Sequence, residues 1–406
     1  MKFYIRELLR FAKGSTVNSV PYLLRYRGTI WFLLKTQGIR AALRFIRVKL
    51  FVRGEICGIA IWDPLWRLFP RLVPYPFMFE LEVTTKCHLR CIMCEHTHWG
   101  RDEYGNRDLS FEDFKRIIDQ FPRLNWINVT GEGTAILNKD FSKMLRYLKS
   151  KGIYVTFVDC FDRLDEKTMR EWIELGVDKI SISIDGATKE TYEAIRVGAK
   201  FDRVISNIRR FIELKKELNS PIPELCFRYV FMKNNWREMI QFVELIHSLG
   251  DSRWVGEGSM IEFVGLLEFE NTKELVYEPP ADAMSAVNKR AKELGVWVVW
   301  DNPHLDASLK PPMRECVAWT EPYIMIGGYV VSCCAVLMSN QRPFLREHSF
   351  GSVLAEDFRD IWYSERYRRF KTMVGREKGE VPILCQGCRA YETTCREKRY
   401  GVSGSV

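Results

Sequence analysis

Cys87-His88-Leu89-Arg90-Cys91-Ile92-Met93-Cys94 sets three thiols at Cx3Cx2C spacing, shortly after the strand-like run Phe77-Met78-Phe79-Glu80-Leu81-Glu82-Val83. Closed iron–sulfur clusters and closed zinc sites usually take four protein ligands, so three thiols leave one position open. A [4Fe–4S] cluster bound this way keeps one iron free for a substrate or cofactor. Zinc is the competing reading, and it is weakened because Cx3Cx2C is not a common zinc spacing.

The chain has 406 residues, 47% of them apolar, enough to bury one large domain with smaller appendages and unlike the composition of a disordered protein. Its twelve cysteines fall largely in close-spaced sets, and no secretory signal with an apolar core is evident at the N-terminus. In a reducing cytosol such sets read as metal ligands, not disulfides, so a cytoplasmic enzyme is expected. Low-potential iron–sulfur chemistry would suit an anaerobic or low-oxygen cell. Charge is uneven: residues 1–75 carry fourteen Lys/Arg against three Asp/Glu, a net of +11, whereas the whole chain is +9.

Composition divides the sequence near residues 75 and 310. The first segment, 1–75, reads as basic amphipathic helices. Phe3, Leu8, Leu9 and Phe11 form one apolar set and Ile30–Leu34 another; Ile39, Leu43, Ile46 and Leu50 recur at helical spacing flanked by Arg40, Arg44, Arg47 and Lys49. Trp62 and Trp66 follow, and Pro64, Pro70, Pro74 and Pro76 end the pattern. No run reaches the ~18 apolar residues of a membrane-spanning helix.

From 76 to 310, strand signals at Phe77–Val83, Trp126–Val129, Tyr154–Val158, Lys179–Ile184, Leu225–Phe231 and Met260–Val264 alternate with helix signals near 111–121, 140–151, 165–175, 202–217, 236–248 and 281–294. Ser110 followed by Asp113 predicts a capped helix start. Repeated β–α units imply a parallel sheet in an α/β fold.

With the three-thiol loop after its first strand, this pattern resembles the radical S-adenosylmethionine (SAM) superfamily. The resemblance implies an α/β partial (β/α)6 barrel with its reactive centre at the C-terminal ends of the strands. Cys87, Cys91 and Cys94 would hold the [4Fe–4S] cluster, and SAM would bind its open iron through amino and carboxylate groups. An electron, delivered by a donor such as ferredoxin or flavodoxin, would cleave SAM to a 5′-deoxyadenosyl radical. Gly131-Glu132-Gly133-Thr134-Ala135 is similar to the family's glycine-rich turn for the SAM amino group, although Thr134 and Ala135 stand where Glu and Pro are common. Glycine there lets backbone carbonyls approach a ligand. The run Ser181–Gly198 looks like the family's fourth strand and following helix. It implies that Ser183 and Asp185 meet the ribose hydroxyls and that Arg196 pairs with the SAM carboxylate.

Residues 311–406 resemble the auxiliary-cluster region of the SPASM and twitch subfamilies. Cys316 is followed after eleven residues by Gly328-Tyr-Val-Val-Ser-Cys333-Cys334, and later by Cys385-Gln-Gly-Cys388. Gly327-Gly328 is a hairpin signal. The resemblance implies one auxiliary [4Fe–4S] cluster on Cys316, Cys333, Cys385 and Cys388, with Cys334 an alternative to Cys333; four thiols would also suit zinc. Cys395 has no assigned role. Cys57, Cys160 and Cys226 lie on apolar patterns and read as core cysteines. His96 and His98 either face the substrate or simply pack.

Family membership leaves the substrate open. Arginine-flanked apolar helices with Tyr22, Tyr26, Trp31, Trp62 and Trp66 suit the cytoplasmic membrane face, which ranks a lipid or lipid-linked substrate first. A ribosomal peptide ranks second and a small alcohol or sugar third. RNA ranks last, because the positive charges are interleaved with large aliphatics, and no nucleic-acid partner is expected. The bland alternative for residues 1–75 is a helical collar packed on the barrel.

Overall fold

The computed structural model describes residues 24, 26–49, 75–98, 107–250, 260–266, 271–301, 321–334, 342–374 and 382–385. The elements begin with α1 (Arg27–Thr36), α2 (Ile39–Arg47), β1 (Met78–Leu81), β2 (Arg90–Cys91), α3 (Glu95–His98) and α4 (Phe111–Asp119). Next come β3 (Trp126–Val129), α5 (Phe141–Ser150), β4 (Tyr154–Asp159), α6 (Glu166–Glu174), β5 (Lys179–Ser183), α7 (Lys189–Ile195) and β6 (Arg196–Val197). They are followed by α8 (Phe201–Glu217), β7 (Glu224–Phe231), α9 (Met239–Ser248), β8 (Met260–Gly265), α10 (Ala281–Leu294) and β9 (Trp297–Asp301). The C-terminal part adds β10 (Tyr323–Ile324), β11 (Val330–Val331), α11 (Arg342–His348), α12 (Phe358–Tyr363) and α13 (Glu365–Met373).

Nine strands form one sheet in the order β11-β10-β1-β3-β4-β5-β7-β8-β9, parallel throughout except for β11. The six expected barrel strands are present within a residue or two of their predicted bounds, β1 being one residue shorter at its start and two at its end than Phe77–Val83. The predicted cap is also present: Ser110 Oγ accepts from the Asp113 amide at 3.1 Å, and donates to its carboxylate at 2.9 Å. Two features go beyond the sequence reading. β9, an apolar Trp-Val-Val-Trp run, adds a further parallel strand beside β8. The Gly327-Gly328 hairpin does form, but its first strand pairs in parallel with β1, so residues from the C-terminal segment extend the barrel's own sheet.

Strand alternation sorts side chains onto two faces. Phe79, Leu81, Ile127, Val129, Val155 and Phe157 join the large core built with the helices. On the opposite face, Met78, Trp126 and Tyr154 lie in register at the starts of their strands. They pack with Ile222 against Tyr26, Leu33, Ala42, Phe45 and Val48 of the N-terminal helices. Residues 26–48 therefore close the N-terminal end of the inner face, as a floor. Large side chains buried in this way contribute about 1.5–3 kcal/mol each. Lys49 locks the floor: its Nζ donates to Glu224 Oε2 at 2.6 Å and sits 4.4 Å from the Tyr26 ring centroid. The predicted apolar set at Phe3–Phe11, and Trp62, Trp66 and the prolines up to Pro74, lie outside the described residues. No helix among the described residues is long and apolar enough to cross a membrane.

Two residues along each strand from the floor, the inner face turns polar. Glu80, Asn128, Thr156 and Lys179 occupy adjacent register positions. Trp126 Nε1 donates to Thr156 Oγ1 (3.0 Å), Thr156 to Asn128 Oδ1 (3.0 Å) and Asn128 Nδ2 to Glu80 Oε1 (2.8 Å). Replacing Lys49 by Ala would leave Glu224 buried without this partner, with an expected loss of about 3–5 kcal/mol in urea unfolding. Lys49→Met combined with Glu224→Leu should recover most of it. A Lys49→Ala chain of unchanged stability would contradict the floor.

Candidate active site

The three-thiol loop leaves the C-terminal end of β1 and is held from several sides. Arg90 donates to the Cys87 and Leu89 carbonyls, and the Thr97 hydroxyl donates to the Cys91 carbonyl at 2.8 Å. A two-residue antiparallel ladder pairs Arg90 with Val197 and Cys91 with Arg196, tying the loop to the chain beyond α7. Burial, with the Glu132 carboxyl nearby, pushes the Cys94 thiol up to about 12. Burial also raises Cys91, against the pull of Arg196. Thiols so placed stay protonated at neutral pH unless a metal cation replaces the proton. His96 is half-buried with its Nε2 2.8 Å from the Thr85 carbonyl, and His98 is exposed.

The glycine-rich turn after β3 seats directly on this loop. The Thr134 amide donates to the Lys86 carbonyl at 2.7 Å, and the Thr134 hydroxyl lies 3.4 Å from the Cys87 sulfur. The residue that departs from the common family pattern thus contacts a candidate ligand. A Cβ on Gly133 would sit 2.3 Å from the Thr84 carbonyl oxygen, and one on Gly131 would sit 2.7 Å from Glu82 Cγ, so only glycine allows this approach. Beneath the turn, Glu82 is fully buried and accepts both guanidinium ends of Arg342, from α11, together with the Ile326 amide. Glu132 Oε2 is buried with no hydrogen-bond partner. Burial raises its carboxyl to about 8, with Arg342 opposing and Glu82 and Glu95 adding.

Beyond β5, Asp185 and Arg196 are committed to each other. Arg196 Nε donates to Asp185 Oδ2 at 2.6 Å, while Asp185 Oδ1 accepts the Val230 amide at 2.8 Å. Asp185 is fully buried, and Arg196 Nη1 lies 3.9 Å from Cys91 Sγ. Ser183 is half-buried at the end of β5, in register with Arg228. Arg228 in turn donates to Glu262 Oε2 at 2.8 Å. These two residues, with Ser181 and Ser183, share the inner face that carries Asn128 and Thr156.

Of the auxiliary set, Cys333 and Cys385 are described, the first half-buried and the second buried; Cys316, Cys388 and Cys395 lie outside the described residues. Cys160 and Cys226 are buried as expected, and Cys57 lies outside the described residues. Among the described residues, no three acidic, His or Cys side chains converge closely enough to hold a single metal ion.

A cluster and SAM fit this arrangement. The donor set is three soft sulfurs, with the Thr134 hydroxyl against that of Cys87 and the Arg196 guanidinium donating toward that of Cys91. The unpartnered Glu132 oxygen beside Cys94 suits an ammonium group. Three contacts escaped the sequence reading: Thr134 on Cys87, the Glu82–Arg342 pair and the Arg196–Asp185 pair. The signal for the second was visible, since Glu80 and Glu82 alternate with apolar residues in an otherwise buried strand.

Comparison with known proteins agrees with this chemistry. Residues 81–246 match the family model of the radical SAM superfamily, and residues 316–389 that of an iron–sulfur cluster-binding domain. The chain is 26% identical over 303 residues to the tungsten-containing aldehyde ferredoxin oxidoreductase cofactor-modifying protein of Pyrococcus furiosus, covering 72% of this chain and 82% of that protein. It is 22% identical over 343 residues to the AdoMet-dependent heme synthase of Methanosarcina barkeri, covering 78% and 91%. Among solved structures it resembles Streptococcus suis SuiB bound to S-adenosylmethionine, with a TM-score of 0.59 at 13% identity over 89% of this chain and 86% of that one. SuiB has also been solved with its precursor peptide SuiA, TM-score 0.58 at 14% identity over 82% and 73%. The chain belongs to the radical SAM superfamily: it is an enzyme with a C-terminal iron–sulfur SPASM domain whose cofactors are SAM and [4Fe–4S] clusters.

Proposed function

We propose that Cys87, Cys91 and Cys94 hold the SAM-cleaving cluster and that the enzyme removes hydrogen from a peptide bound over the polar inner face of the sheet. The observation that carries the first part is the seating of the Gly131–Thr134 turn on the thiol loop, through contacts that only glycine at 133 permits. When bound, the cluster and SAM supply a carbon-centred radical able to take hydrogen from an unactivated C–H bond.

The chain's own residues divide the remaining work. The Thr134 hydroxyl and Arg196 guanidinium donate toward the sulfurs of Cys87 and Cys91 and so lower the cost of holding them as thiolates. Asp185 acts as a positioning residue: both oxygens are occupied, and it fixes the plane of Arg196. Gly131 to Gly133 and Glu132 hold the SAM amino group, and Ser183 remains available to a ribose hydroxyl. An electron donor of the ferredoxin or flavodoxin type serves the cluster.

Peptide is favoured over acyl chain by the inner face itself. Glu80, Asn128, Thr156, Ser181, Ser183 and the Arg228–Glu262 pair offer donors and acceptors of both signs, which match amides and polar side chains. Hydrocarbon placed there would desolvate these groups without replacing their bonds. The fold shared with SuiB is compatible with that class.

A membrane role keeps one supporting observation. On the N-terminal helices, Leu24, Trp31, Ile39 and Leu43 are each more than half exposed, beside the exposed Arg27, Lys35 and Arg40. Such a face suits shallow docking on anionic lipid, with a lipid-linked substrate as the corresponding reading.

Three measurements test these assignments. Cys91→Ala should abolish 5′-deoxyadenosine formation by the reconstituted, reduced enzyme, and normal output would remove the cluster assignment. A small-peptide fraction of the host cell should stimulate 5′-deoxyadenosine formation severalfold while an organic lipid extract does not; the reverse result would overturn the peptide reading. Flotation with anionic vesicles should weaken at least tenfold in a Trp31→Glu, Ile39→Glu double variant if the outer face docks, and equal flotation of variant and parent would dismiss that face.

A further inference from the structure

The turn at Gly131–Gly133 belongs to no helix or strand, so its position depends on what it rests on. Its two ends are held by different parts of the chain. At the exit, the Thr134 amide is bound by the thiol loop through the Lys86 carbonyl. At the entrance, the Thr130 amide donates to the Leu81 carbonyl of β1 at 3.1 Å, while the Thr130 carbonyl accepts the hydroxyl of Tyr323 at 2.8 Å. Tyr323 is fully buried and lies on β10, 193 positions further along the sequence.

Gly131 itself is enclosed from the same side. A Cβ at this position would lie 2.9 Å from Glu82 Oε1 and 3.1 Å from the Tyr323 hydroxyl, so the glycine backbone touches both groups. The Glu82 carboxylate is placed in turn by donors from the C-terminal segment. The Ile326 amide and Arg342 Nη1 each donate to Oε2 at 2.9 Å, and Arg342 Nη2 donates to Oε1. The Glu82 amide donates to the Ile324 carbonyl at 2.9 Å. A fully buried carboxylate cannot exchange such donors for water. Its place, and that of the glycine packed on it, therefore follows residues 323–342. Beside that glycine, Glu132 Oε2 is buried with no hydrogen-bond partner, an acceptor left open next to the turn.

We propose that Arg342 and Tyr323 are positioning residues for SAM: by fixing the Gly131–Gly133 turn through Glu82 and Thr130, they set the affinity for the SAM amino group from the C-terminal segment. This rests on the SAM-binding role proposed above for the turn, and deepens it by assigning part of the support to residues outside the barrel motifs. Neither residue touches SAM, and no bond-making step is assigned to either. A C-terminal segment that served only the substrate or an auxiliary cluster would leave SAM affinity unchanged when these two side chains are altered.

The test uses the full chain, reconstituted without oxygen. SAM is titrated against the electron paramagnetic resonance signal of the reduced cluster, and KM and kcat for 5′-deoxyadenosine formation are measured alongside. Tyr323→Phe removes one hydrogen bond and should weaken SAM binding about fivefold. Arg342→Lys keeps the charge but loses the two-point contact, and should weaken binding about tenfold. In both variants iron content should match that of the parent, and kcat at saturating SAM should stay within about twofold, so that the loss appears in KM. Lys49→Met combined with Glu224→Leu alters a buried pair at the floor, and should bind SAM as the parent does. Parental affinity in Tyr323→Phe overturns the proposal, even where Arg342→Lys fails to fold. Loss of iron from Tyr323→Phe, or equal weakening in the floor variant, also overturns it, because the contacts would then support the thiol loop or the fold at large. A parent signal indifferent to SAM would instead remove the SAM-binding role of the turn, a result distinct from failure of this inference.

Discussion

The ion pair between Glu82 and Arg342 is the constraint that joins the parts of this enzyme. Glu82 follows β1 and precedes Cys87 of the thiol loop by five residues, and it is fully buried; Arg342 comes from α11, far along the chain, and is nearly so. Burying both charges is costly, and the cost is offset here by two guanidinium contacts and a third donor, the Ile326 amide. Gly131 packs against the Glu82 side chain, so the turn beside the thiols rests on the same pair. The strand that leads into the thiol loop is therefore tied to α11 of the C-terminal segment through one buried pair.

Around that junction the sheet divides its chemistry by face. Apolar residues at alternate positions bind the helices, while the inner face is apolar at its floor and polar above it. The N-terminal helices supply the floor, so part of the basic segment acts as the collar that was its bland alternative. Their other face stays apolar and basic.

Much of this was legible in sequence, and the reasons differ by element. Strands such as Tyr154–Asp159 and helices such as Phe201–Glu217 announce themselves by period, and the thiol loop by spacing. Local chemistry predicted the Ser110 cap correctly. What period and spacing cannot carry is partnership across the chain. Arg196 reads alone as a SAM-facing cation, yet in the fold it is bound by Asp185, itself expected at the ribose. The two-residue ladder between Cys91 and Arg196 is too short to leave a pattern. β10 gives a hairpin signal but no hint that it would dock on β1, because parallel pairing depends on which edge the barrel leaves open. The pairing of Glu82 with Arg342 spans 260 positions and has only the odd acidic residue in a buried strand to suggest it.

The central claim is a thiol-bound cluster with one iron left for SAM. It is tested most directly by electron paramagnetic resonance of the reduced, reconstituted chain before and after SAM is added. The account requires a [4Fe–4S] signal whose shape changes when SAM occupies the open iron, and which is lost when Cys91 is replaced. A signal indifferent to SAM would mean that the cluster has no open position beside the Gly131–Gly133 turn, and would contradict the account.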